Sequence, residues 1–135
     1  MLAQVLILIG AALFGTLGTL HLIYTFFTDK FDARDAATNA AMRSSHMVLT
    51  RRTTVWKAWV GFNASHSLGA MLFAAIYLVL ALGHMALLRE SAALVWLAVA
   101  GSTGYLALAQ RYWFRTPLIG VALATACFVG AALTL

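Results

Sequence analysis

Charge is what this sequence has least of. No Asp, Glu, Lys or Arg occurs in residues 1–28, 58–88, 91–110 or 116–135, and charged residues make up 10% of the whole against 63% hydrophobic. A soluble domain carries roughly 25% charged residues, and an apolar run of about 20 residues is what crosses a ~30 Å hydrocarbon core. Four such runs and a mean hydropathy of +0.90 exclude an ordinary soluble fold. In 135 residues the four runs also leave no room for a separate soluble catalytic domain. The single cysteine, Cys127, lies mid-way along the last run. It excludes an intramolecular disulfide and reads as a small apolar packing residue. The single proline, Pro117, falls in the first turn of the last run, where its missing donor costs nothing. Acidic residues number four. None lies near Ser65, His66 or Ser67, so a nucleophilic triad is excluded; a G-x-S-x-G elbow, phosphate-cradling loops and zinc-ligand spacings are absent as well.

What is present is an all-α pattern: a four-helix transmembrane bundle, up-down-up-down, forming one membrane domain over 1–135, with spans at about 4–27, 56–82, 92–109 and 116–135. The first run lacks a basic leading segment, is too long for a secretory apolar core and shows no small-x-small site before Asp29, so it is expected to stay as a span. Lys30, Arg34, Arg43, Arg51, Arg52 and Lys57 lie between the first two spans, and Arg111 and Arg115 between the last two. Arg89, beside Glu90, is the one base of the middle connection. Positive charge in short loops marks the cytoplasmic side, so both termini are expected outside. The +5 balance and pI of about 10.0 therefore report topology rather than nucleic-acid binding.

The one substantial polar stretch, 28–55, is alanine-rich and lacks glycine and proline. Asp32 or Asp35 can cap a helix through 33–45, and an in-plane cytoplasmic helix on the headgroups is expected there. Asp29, Asp32 and Asp35 repeat every third residue, with His46 downstream. Carboxylate clusters suit hard cations, but these residues read as caps and as partners of Lys30 and Arg34 in solvent.

Chemistry concentrates in Trp56-Lys57-Ala58-Trp59-Val60-Gly61-Phe62-Asn63-Ala64-Ser65-His66-Ser67-Leu68-Gly69. On a helix, Trp59, Asn63, His66 and Ser67 share a face, placing an amide, an imidazole and a hydroxyl two to three turns inside the span. His21, with Tyr24 one turn below it, falls at a comparable depth on the first span and can face His66. Polar groups at such depths face a bundle interior or a wet cavity. Three readings stay open: interhelical hydrogen bonds that fix packing; haem or a transition metal on His21 and His66; or a pocket for a small amphipathic ligand or lipid. Glycine and other small residues on the first, third and fourth spans suggest a homo-oligomer or docking to a larger membrane complex as an accessory subunit. A channel or transporter subunit would require the same assembly.

The W-K-A-x-x-G-F-N-x-S-H-S-L-G run, with the aromatic end of the first span (His21-Leu22-Ile23-Tyr24-Thr25-Phe26-Phe27), resembles a group of small bacterial four-span membrane proteins without an assigned activity. The resemblance covers most of the chain and implies fold and an inner-membrane location, not a reaction. In size and layout the chain is also similar to DoxX-like four-helix proteins. Cytochrome-type membrane anchors resemble it in carrying histidines on adjacent spans, although their paired histidines on two helices are incomplete here.

Overall fold

The computed structural model describes residues 1–135. Its elements run α1 (Leu2–Phe27), α2 (Ala36–Ser44), β1 (His46–Met47), β2 (Thr50–Thr54), α3 (Val55–Gly83), α4 (Met85–Glu90), α5 (Ala92–Tyr112) and α6 (Arg115–Thr134). The architecture is helical, and α1, α3, α5 and α6 are each long and apolar enough to cross a membrane. Within the most apolar window of each, no more than 28% of residues are buried inside the protein. The exposed positions include leucine, isoleucine, valine and phenylalanine, the apolar surface that a lipid solvent suits. The chain forms two compact units, residues 1–17 with 70–135, and residues 18–69.

In the first unit, burial recurs at spacings of three and four: Ala3, Ile7, Ala11 and Phe14 on α1; Ala70, Ala74, Tyr77 and Ala81 on α3; Val121, Ala124, Phe128 and Ala131 on α6. That spacing is a heptad seam, the geometry of helices packed with knobs into holes. Alanines bring the backbones close, and one aromatic cluster fills the centre. The Phe128 ring stands 6.3 Å from Phe14 and 5.5 Å from both Phe73 and Tyr77, in tilted and edge-on pairs that suit the aromatic quadrupole. Gln4 Nε2 donates to Ala81 O (2.8 Å) and the Tyr77 hydroxyl to Leu94 O (2.7 Å).

The small-residue faces read from the sequence as partner surfaces are used within this unit. A Cβ at Gly10 would meet Phe128 at 3.0 Å, at Gly101 Phe73 at 3.2 Å, at Gly120 Leu17 at 2.9 Å and at Gly130 Leu6 at 3.2 Å. Gly104 faces open space. The connection between α3 and α5 holds a short helix, α4, whose Leu88 is buried.

The second unit contains the end of α1, the polar segment and the start of α3. Here the structure departs from expectation in two ways. The helix of the polar segment begins at Ala36, not 33, because Asp35 is the residue in extended conformation whose carboxylate accepts from the N–H groups of Ala37 and Thr38. For residues 46–54 the all-α reading expected no strand. They form an antiparallel hairpin with His46 opposite Thr54, Met47 opposite Thr50 and an irregularity between them. The β-branched threonines of Thr50–Thr54 favour that extended state.

Candidate functional site

The second unit gathers the predicted polar seam. Near the end of α1, Thr25 Oγ1 donates to His21 O (2.8 Å), and Thr28 Oγ1, just past the helix, donates to Tyr24 O (2.9 Å). More than one and a half turns before that end, His21 Nε2 lies 3.0 Å from Asn63 Oδ1. Asn63, 7% exposed, donates its Nδ2 to Trp59 O at 2.9 Å. Because that amide nitrogen is committed to a carbonyl, the oxygen faces His21, and an oxygen can only accept. His21 Nε2 must therefore carry the proton, which leaves the lone pair of the neutral ring on Nδ1. His66 sets its ring edge-on to His21, centroids 5.1 Å apart. Both imidazoles are half-buried.

The remaining predicted residues arrive by way of one that sequence reasoning missed, Phe31. Its ring stacks 4.5 Å from His21 and 6.4 Å from Tyr24, and its carbonyl accepts from Trp59 Nε1 at 3.2 Å. Phe31 thus covers the imidazole from the polar segment and ties that segment to α3. The available signal was a lone aromatic within a charged run (Asp29-Lys30-Phe31-Asp32). Ser67 does not present its hydroxyl to the seam. Fully buried, it donates to Asn63 O at 3.0 Å on its own helix. No buried side-chain nitrogen or oxygen lacks a hydrogen-bond partner.

The polar segment around the seam is held by a few specific contacts. Asn39 accepts from Ala33 N and donates to Ala33 O (2.9 and 2.8 Å), fastening the loop to α2. Arg43 places its guanidinium 3.9 Å above the Trp56 ring and 3.8 Å from Asp32. Asp32 therefore pairs with Arg43 rather than with Lys30 or Arg34. The Lys30 ammonium lies 5.1 Å over the Tyr24 ring, and His46 Nδ1 donates to Thr53 O at 3.2 Å. Asp29, Lys30, Asp32, Ala33, Arg34 and Asn39 line an open concavity of about 420 Å³. The carboxyl of Asp35 is held below its ordinary value, first by the Thr38 hydroxyl and then by the two backbone N–H groups.

The imidazole pair does not fit haem. Metal–nitrogen bonds of about 2.0–2.1 Å on opposite faces of an iron hold ring centroids about 6 Å apart with a macrocycle between them. These rings touch edge to face at 5.1 Å, and Nε2 of His21 is already engaged. For a smaller metal ion the two imidazoles stand alone, since no group of three or more His, Cys, Asp or Glu side chains converges anywhere in the protein. What the arrangement can do is offer hydrogen bonds: one imidazole of fixed tautomer, a second against it, and aromatic cover, with exposed Phe62 one turn from His66 on α3. Comparison with protein-family models, with curated proteins and with solved structures finds no match.

Proposed function

We propose that this small membrane protein is a non-enzymatic, multi-pass protein of the bacterial inner membrane that binds a lipid-like amphipathic ligand at the seam of His21, Asn63 and His66. The observation that carries the reading is the His21–Asn63 hydrogen bond with the His66 ring set against it. Orienting an imidazole through a second side chain is how a site presents a defined hydrogen-bonding edge. Exposed Phe62 lies one turn from His66 on the same face of α3, so a polar head on the imidazoles leaves an acyl or prenyl tail against an apolar side chain. The distribution of Lys and Arg places the two basic connections on the cytoplasmic side and both termini outside, which puts the seam toward the cytoplasmic leaflet.

Native mass spectrometry of the protein extracted gently from its own membrane tests this. The expected result is a retained mass in the lipid range that His66→Ala and Asn63→Ala both lose and His84→Ala, in the connection before α4, keeps. A bare wild-type chain, or a mass equally retained by the seam variants, would overturn the reading. A chain recovered bare and only within a larger assembly would replace it with an accessory-subunit role.

A further inference from the structure

The tip of the β1–β2 hairpin is built against the usual rules for a turn. Two-residue hairpin connections favour Asn-Gly or Asp-Gly because their preferred turns need positive φ. Here the two residues are Val48 and Leu49, and no residue of the chain has positive φ. Both side chains project fully from the protein, Val48 at 109% and Leu49 at 87% of full exposure. Turn chemistry does not explain their identity, and nothing within the chain covers them. After Thr50 come Arg51 and Arg52, both exposed, and directly after β2 the chain enters α3 at Val55.

We infer that Val48 and Leu49 form an apolar wedge that enters the headgroup layer of the leaflet at which α3 begins, with Arg51 and Arg52 binding the phosphates of anionic phospholipids. Continuity with the span sets the reach. The six residue steps from Leu49 to Val55 cover at most about 20 Å at ~3.3 Å each, so a hairpin lying along the surface keeps its tip within the same interface. Charge complementarity names the occupant: an apolar tip backed by two guanidiniums matches acyl chains beneath anionic headgroups, as amphipathic interfacial segments do. The wedge involves none of the residues of the imidazole seam.

The test uses the full chain in nanodiscs, which expose both faces, made with neutral phosphatidylcholine or with added phosphatidylglycerol. An environment-sensitive dye is placed on Leu49→Cys in a Cys127→Ala background. Expected are blue-shifted emission, shielding from aqueous iodide and quenching by lipids spin-labelled near the headgroup, all stronger with phosphatidylglycerol. Removing each arginine (Arg51→Ala, Arg52→Ala) should lower the inserted-to-free ratio about fivefold, the usual weight of one base at an anionic surface. For the unlabelled wild-type protein, anionic nanodiscs should protect the bonds after Arg51 and Arg52 from trypsin. That readout stands if the labelled variant does not fold. A dye open to iodide in every lipid, shielding indifferent to anionic content and to both arginines, or shielding that arises only when other membrane proteins are added would each overturn the inference.

Discussion

Gly10→Ala tests the packing of the first unit most sharply. The added Cβ would stand 3.0 and 3.2 Å from two carbons of the Phe128 ring and 3.2 Å from Ala124 O, where carbon contacts normally settle at about 3.5–4.0 Å. The ring must give by roughly half an ångström, away from α1 and into Phe73 and Tyr77, whose centroids already stand at 5.5 Å. The carbonyl of Ala124 is backbone and cannot swing aside. Overpacking of this kind costs about 1–3 kcal/mol, and the better helix propensity of alanine offsets up to about 1. A net loss of about 1–2 kcal/mol, or roughly 5–30-fold in the folded-to-unfolded ratio, is expected in reversible unfolding in bicelles followed by tryptophan fluorescence. Gly104→Ala, with nothing within 4 Å of the new Cβ, should be neutral or slightly stabilising. Phe128→Leu is destabilising alone through the cavity it leaves. Combined with Gly10→Ala it should lose less than the sum, with a coupling of at least about 0.5 kcal/mol and a residual loss from Ala124 O. Equal costs at positions 10 and 104, or strict additivity with Phe128→Leu, would refute this account of how α1 and α6 meet.

Two further outcomes follow from the second unit. Nitrogen NMR of wild-type protein in bicelles should show His21 protonated on Nε2; Asn63→Leu should mix the tautomers and cost about 0.6 kcal/mol, at most about 1.7, whereas an Nδ1-protonated His21 in the wild type would contradict the hydrogen-bond assignment. Because the Asp35 carboxyl is depressed in the folded state from an ordinary value of 3.8, chiefly by the Thr38 hydroxyl, its contribution to the start of α2 is fully present above that pH and is lost as pH falls through the lower folded value. Protection of the Ala37 and Thr38 amides should fall only below pH 3.8 and lose that acid step in Asp35→Asn, so an unchanged step in the variant would place the titration elsewhere.

Both the spans and the polar seam were legible in the sequence, for one reason: lipid cannot hydrogen-bond, so a spanning helix must be apolar throughout and each polar interruption stands out. That made α1, α3, α5 and α6 readable to within a few residues and drew attention to Asn63, His66 and His21. The same uniformity hid the core. A helix that is hydrophobic all round has no polar face to mark its buried side, so Phe128, Tyr77 and the alanine stripes could not be told from lipid-facing leucines. There the buried face is chosen by size and shape, which only the meeting of helices reveals. Glycines that looked available for partners turned out to be occupied by Phe128, Phe73, Leu17 and Leu6.

In the polar segment the sequence carried the capping chemistry of α2 but not its partners. Asp35 could be read as a cap because the interaction is local, two and three residues along. The Phe31–His21 stack and the Arg43–Trp56 contact join residues 10 and 13 positions apart, and the Trp59–Phe31 hydrogen bond joins residues 28 apart. No local propensity encodes such pairings. The sequence by itself determined that four segments are long and apolar enough to cross a membrane and where the polar groups within them lie, because solvent sets that rule residue by residue. Only the tertiary structure decided which side chain each group meets, the tautomer His21 must hold and the exposure of Val48 and Leu49, because those depend on contacts between segments that the chain brings together only when folded.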